Sequence, residues 1–231
     1  MGSNSSRRVL RSTRVSQSES FLMLAIIDYG AGNLRSVERA VRHVGAEYRV
    51  TVDPEVIASA SGVILPGVGA AKDTMMGLGS RDLLRPVRDA IASGRPFLGV
   101  CMGLQALFDG SEEDGGTECM GLYPGTIRKF PDGLHVPHMG WNQVIAKDDL
   151  PIMEGIEPGT NFYFVHSYYA GPPDAPFCGA TTSYGVDFLS VLHDGNVFGT
   201  QFHPEKSGRP GLRIYANFAR LAGEAVDEEA L

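Results

Sequence analysis

The sequence predicts an α/β domain built on a mostly parallel sheet, and three observations carry that expectation. Strand-like and helix-like stretches alternate through about the first hundred residues, glycine-rich turns follow three of the strand-like stretches, and the second half changes to short strands separated by turns. With 231 residues, 43% of them hydrophobic, the chain can bury one sizeable core.

Met23 to Asp28 reads as a buried strand running into Tyr29-Gly30-Ala31-Gly32-Asn33. Leu34, Val37, Ala40, Val41 and Val44 then recur at helical spacing until Gly45 stops the helix. Ala46 to Val52 reads as a second strand, and Gly62 to Leu65 as a third that ends in Pro66-Gly67-Val68-Gly69. Leu83, Val87 and Ile91 mark a helix closed by Gly94, and Phe97 to Val100 is a fourth strand.

From about residue 125, strands are expected at Thr126–Arg128, Val144-Ile145, Phe162–Val165, Ala180–Thr182, Leu189–Leu192 and Val197–Gln201. Asp194-Gly195 reads as a hairpin turn. A final helix carries Leu212, Tyr215, Ala216, Phe218, Ala219 and Leu221. In a parallel sheet the loops at the strands' carboxyl ends share one edge, so the turns at 30–32, 67–69 and 99–103 are expected to meet there.

Residues 1–22 are rich in Ser and Arg and lack apolar periodicity, so they are expected to be disordered and outside a domain spanning 23–231. A transit peptide shares this composition, but an upstream start is the simpler reading. The chain carries a net charge of -7 although four of its arginines lie in that segment, so the body is more acidic still, which argues against a nucleic-acid partner. Cys101, Cys119 and Cys178 are odd in number and lack CxxC spacing, as expected of a protein of the reducing cytoplasm. No stretch approaches the roughly 20 apolar residues that span a bilayer, so no membrane partner is expected.

Gly99-Val100-Cys101-Met102-Gly103 follows an apolar run and opens a helical pattern, the context of a nucleophile elbow. A free thiol titrates near 8.5, and lowering that by about two units takes roughly 2.7 kcal/mol, which a helix start and a nearby imidazolium can provide. Buried cysteine is the bland alternative, and it is the reading kept for Cys119 and Cys178. About a hundred residues later, Gln201-Phe202-His203-Pro204-Glu205 offers an imidazole and, two residues on in extended geometry, a carboxylate to orient it. Histidines 43, 135 and 193 have no such context and read as structural.

These two motifs, in this order and spacing, resemble the class I (triad-type) glutamine amidotransferases over essentially all of residues 23–231. The resemblance implies a flavodoxin-like α/β fold: a mostly parallel central sheet flanked by helices, with a mixed or antiparallel strand region in the C-terminal half. It implies Cys101 as nucleophile, His203 as general base and acid, and Glu205 as its orienting partner. Backbone N–H groups of Met102 and of the Gly67-Val68-Gly69 loop, at Val68, are implied as oxyanion donors. Gly69, Gln105, Glu113, Ser167 and Tyr168 are implied around glutamine, with Glu113 facing its ammonium group. Without the resemblance, Gln105 and Glu113 read as helix-surface polarity, and Ser167 and Tyr168 as strand-end packing.

Asp28-Tyr29-Gly30-Ala31-Gly32-Asn33-Leu34, Pro66-Gly67-Val68-Gly69, His138-Met139-Gly140-Trp141-Asn142, His166-Ser167-Tyr168 and His203-Pro204-Glu205-Lys206-Ser207 narrow the resemblance to the glutaminase subunits of imidazole glycerol phosphate synthases. That branch implies a heterodimer with a cyclase subunit, which receives the ammonia in histidine biosynthesis. It implies Asn33, His138, Trp141, Tyr163 and Lys206 near the docking face; for Trp141 core packing is the alternative. A glutaminase with another acceptor, a stand-alone γ-glutamyl hydrolase and a regulatory subunit without chemistry remain the competing readings. Gly30-Ala31-Gly32 lacks the third glycine of a dinucleotide fingerprint and the Lys-Ser/Thr of a P-loop, and no metal-ligand spacing occurs, so no cofactor and no metal are expected.

Removing residues 1–22 is expected to leave glutaminase turnover unchanged within about twofold; a steady-state assay of the shortened chain checks this.

Overall fold

The computed structural model describes residues 23–30, 33–147 and 150–231. The segment 1–22 and Ala31-Gly32 of the first glycine-rich turn lie outside the described residues. Strands β1 (Leu24–Ile27), β2 (Tyr48–Thr51), β3 (Gly62–Leu65) and β4 (Phe97–Val100) alternate with helices α1 (Leu34–His43), α2 (Pro54–Ser59), α3 (Ala71–Ser80) and α4 (Leu84–Ala92). A single helical turn, α5 (Met102–Gln105), follows β4. The chain continues through β5 (Phe108–Ser111), β6 (Thr117–Glu118), β7 (Tyr123–Lys129), β8 (His138–Gln143), β9 (Ile145–Ala146), β10 (Asn161–His166) and β11 (Tyr168–Tyr169). It then forms β12 (Cys178–Ser183), β13 (Asp187–Asp194) and β14 (Val197–Thr200), and a last long helix, α6 (Gly208–Leu221).

Eight strands form the central sheet in the order β2-β1-β3-β4-β14-β13-β12-β9. The five from β2 to β14 run parallel and the remaining three add antiparallel. Alternation in β1 explains why its four residues are all apolar and all buried. Leu24 and Ile26 join the core layer that includes Val37, Val41 and Phe218 of α1 and α6, while Ala25 and Ile27 join the layer with Ile57, Leu78 and Val87 of α2, α3 and α4. Smaller sheets, β8 with β10 and β11-β7-β5-β6, stand beside this one.

The expected strands and hairpin are present except at Val144-Ile145, where Val144 lies between β8 and β9 and only Ile145 is in a strand; Gly195 and Asn196 lie between the paired residues Asp194 and Val197. Of the apolar residues that mark the last helix, Tyr215, Ala216, Phe218 and Ala219 are buried together with Ile214, whereas Leu221 at its end is exposed. Apolar periodicity does not announce α2, α3, β5, β6, β8 or β11. For α2 another signal exists: Asp53 accepts a hydrogen bond from the Glu55 N–H and Pro54 occupies the first helical position. Helix α3 has glycines at 77 and 79 and no capping side chain of its own, so packing rather than propensity holds it.

At the carboxyl edge, β4 turns directly into α5 against the end of β3. A Cβ on Gly103 would lie 1.9 Å from the Leu65 carbonyl oxygen, so only glycine fits. Gly103→Ala is therefore expected to cost about 3 kcal/mol or more in unfolding free energy. Gly79→Ala, where the nearest atom would be 3.9 Å away, should be neutral or stabilising by up to ~1 kcal/mol. Denaturant titration of both variants checks the contrast.

Candidate active site

Cys101 takes φ 53° and ψ -103°, a backbone conformation that L-residues rarely adopt. The strain sits at a sharp strand-to-helix turn, the geometry of a nucleophile elbow. Its N–H donates to the Thr200 carbonyl, 2.7 Å away on β14, which ties the elbow to the strand leading to His203. The helix start expected to help polarise the sulfur is present, but because α5 is one turn long it offers little of a helix macrodipole. The polarising group must be a side chain.

His203 supplies it. The residue is buried, and its Nδ1 lies 2.7 Å from Glu205 Oε1. The expected extended path from His203 to Glu205 is replaced by a short 3-10 turn, Pro204–Lys206, which Pro204 starts and which brings the carboxylate back to the ring. Asn33, in the left-handed conformation that asparagine tolerates, donates from Nδ2 to the same Oε1 at 2.5 Å, and the Tyr215 hydroxyl donates to Oε2 at 3.4 Å. Burial alone would push His203 below its usual 6.5. The charge and hydrogen bond of the Cys101 sulfur, then the Glu205 carboxylate, outweigh it and raise the ring to about 10. Burial pushes the other two thiols up: Cys119 to about 11, with the Glu113 charge adding to the rise, and Cys178 upward despite the opposing charge and hydrogen bond of Lys147.

A cavity of about 370 Å³ opens over Cys101 and His203. Val68, Gly69, Met102, Gln105, Glu113, Ser167, Tyr168 and Lys206 are among the residues that line it. The structure therefore brings together every residue that the resemblance placed around the nucleophile and glutamine. Met102 N–H stands in the first turn of α5, where no intrahelical carbonyl reaches it. A larger groove, about 670 Å³, lies between α2 and α4, and neither Cys101 nor His203 lines it.

The sequence profile described as Glutamine amidotransferase class-I matches residues 25–221. The chain belongs to this family. The amidotransferase is 50% identical over 200 residues to "Imidazole glycerol phosphate synthase subunit HisH" of Dehalococcoides mccartyi (strain CBDB1), covering 87% of this chain and 98% of the relative. It is 48% identical over 202 residues to the protein of the same name from Moorella thermoacetica, covering 87% and 96%. Among solved structures, PurLQS from Thermotoga maritima matches with a TM-score of 0.67 at 19% identity, covering 86% of this chain and 98% of that one; this likeness concerns the fold.

Two features of the amidotransferase's site are not foreseen by its motifs. Gln201, completely buried, donates from Nε2 toward the Cys101 sulfur at 3.6 Å and accepts from Gln105 Nε2 at 2.9 Å. Strand alternation with His203 is the signal that could have placed it. Gln105 also donates to the Tyr168 carbonyl, so it is a buried strut rather than surface polarity. The second feature is a chain of neutral histidines. His166 Nδ1 donates to the Tyr168 carbonyl at 2.7 Å, which leaves its Nε2 to accept from His138 Nδ1 at 2.9 Å, while Asn142 donates to His138 Nε2 at 3.2 Å.

His138 is thus buried, its ring stacked between Phe164 and Tyr184, and not on the surface expected for a docking residue. Trp141 is the opposite case: it is 59% exposed, which removes core packing as its role. Its ring meets Tyr163 edge-on at 6.1 Å, and Lys206 Nζ lies 5.9 Å from the centre of that same tyrosine ring.

Burial lowers His138 from 6.5 to about 4 and His166 to about 3, so both are neutral in the folded protein and protonated first in the unfolded one. Their contribution to stability is present above pH 6.5 and is lost as pH falls toward 4, at up to ~1.4 kcal/mol per pH unit for each ring. Urea unfolding at several pH values between 7 and 5 should show that loss, and a His138→Gln, His166→Gln double variant should flatten the slope.

Proposed function

We propose that this amidotransferase is the glutaminase subunit of imidazole glycerol phosphate synthase. It hydrolyses L-glutamine to glutamate and ammonia and passes the ammonia to the cyclase subunit for imidazole glycerol phosphate formation in histidine biosynthesis. The observation that carries the chemistry is His203 held between Cys101 and Glu205 on the floor of a cavity of amino-acid size. The acceptor follows from relatives of the same printed name that this chain matches over nearly their whole length.

In this mechanism glutamine lies with its ammonium group toward Glu113 and its side-chain amide over Cys101. The sulfur attacks the amide carbon, and the oxyanion takes hydrogen bonds from the N–H groups of Met102 and of the Val68 loop. His203, protonated beforehand, gives its proton to the leaving nitrogen, so ammonia departs and a γ-glutamyl thioester remains. Water then attacks the thioester with His203 taking its proton, a second oxyanion forms and collapses, and glutamate leaves. Glu205, fixed by Asn33 and Tyr215, keeps the ring turned toward the sulfur.

Free ammonia becomes ammonium in bulk water, so the design requires a shielded route into a partner. We place the cyclase on the face carrying Trp141, Tyr163 and Lys206; next to Trp141 on the same side of β8, Met139 is also exposed, and aromatic and Met side chains are common interface anchors. Asn33 joins this face at the edge of the triad. Cytoplasmic location accords with three free, buried cysteines.

Cys101→Ala in the complex with the cyclase is expected to lower glutamine-dependent synthesis at least ~10³-fold while ammonium salts still support it. Retained glutaminase turnover in that variant would refute the assignment.

A further inference from the structure

Glu113 makes a bond that a substrate ligand has no need of. Its Oε2 accepts the N–H of Ala71 at 2.8 Å. Ala71 is the first residue of α3, and the residue before it, Ala70, has no side chain able to cap the helix. A carboxylate from a turn 42 residues away in sequence therefore takes one of the donors that every helix start leaves open, and sets its charge against the positive end of the dipole. The Glu113 N–H is in turn fixed by Ser111 Oγ at 3.2 Å.

What this bond restrains is the segment just before Ala71. At the far end of that segment Gly67 is jammed against the elbow: a Cβ there would lie 2.6 Å from Met102 Cβ and 2.7 Å from Gly103 N. The near end is held by Glu113. Between the two anchors lie Val68 and Gly69, which line the same cavity as Cys101 and Glu113. The second oxygen of Glu113 makes no hydrogen bond among the described residues, and a carboxylate has lone pairs enough to serve a backbone N–H and an ammonium group together.

We propose that Glu113 is a positioning residue as well as a substrate ligand: it latches the Gly67–Ala70 loop through Ala71, so that holding the ammonium group of glutamine and ordering the loop that faces the oxyanion are one coupled event. The proposal rests on the glutaminase reading above. Coupling of this kind is reciprocal: a bound ammonium fixes the carboxylate and with it the loop, and an ordered loop presents the carboxylate ready for the ammonium.

The test is steady-state glutaminase kinetics, in the complex with the cyclase, for three variants. Glu113→Gln keeps an oxygen that can accept from Ala71 but loses the charge, so KM should rise about tenfold or more while kcat stays within about threefold. Glu113→Ala loses both bonds, so a similar rise in KM should be joined by a fall in kcat of about tenfold to hundredfold. Ala71→Pro removes only the N–H; proline suits the first position of a helix, and Ala70 at φ -94° and ψ 155° already has the extended backbone that precedes it. Here kcat should fall, and KM should rise by less than in Glu113→Gln, because the carboxylate keeps its charge but loses its fixed position. Should Ala71→Pro fail to fold in a melting experiment, the Gln and Ala pair decides alone. Equal kcat in that pair, with the loss confined to KM, overturns the latch and leaves Glu113 an ammonium ligand only. A parent complex without glutaminase turnover overturns the underlying reading instead.

Discussion

A buried imidazole resists taking a proton, and His203 has almost no solvent to help it. The ring is nevertheless raised to about 10, because the Cys101 sulfur on one side and Glu205 on the other both favour its charged form. The surrounding arrangement serves to keep those three groups in line. β14 runs beside β4 so that Cys101 and His203 emerge from adjacent strands; the Cys101–Thr200 backbone bond fixes one to the other. Asn33 and Tyr215 then hold the carboxylate from two further elements, the start of α1 and the body of α6.

The backbone of His203 is tied to the face proposed for the partner. Its N–H donates to the Tyr163 carbonyl at 2.9 Å, and Ser207 Oγ donates to the His203 carbonyl while accepting from the Tyr163 N–H. Tyr163 is paired across the two-stranded sheet with Trp141 and lies under Lys206. Behind that sheet, the His138–His166 chain reaches the Tyr168 carbonyl, where Gln105 and Gln201 continue it to the sulfur. Side chains on β8 and β10 are thus connected to the base by backbone bonds and to the nucleophile by a relay of neutral groups.

Much of this was legible in the sequence because it depends on local rules. Uniformly apolar β1, the Gly45 and Gly94 stops, and the strand-Gly-x-Cys-x-Gly turn each follow from one conformational demand. What was illegible depends on partners distant in sequence. Helix α3 contains two glycines and takes its cap from Glu113, so no window around it looks helical. Strand β8 mixes glycine with polar and aromatic residues because one side meets solvent and the other the His166 ring. The resemblance places Asn33 and His138 only near a docking face; the bond of Asn33 to Glu205 spans 172 positions and the burial of His138 beneath a strand whose Met139 and Trp141 face outward depends on tertiary packing, so neither could be read locally.

The site's chemistry depends on the charge of one ring, and the most direct measurement is an NMR titration of His203, with the imidazole nitrogens labelled, in the parent protein and in Cys101→Ala. The parent ring should remain protonated well above neutrality, releasing its proton near pH 10, and the substitution should lower that value markedly by removing the largest favourable charge. Titration near 6.5 in both proteins would contradict it.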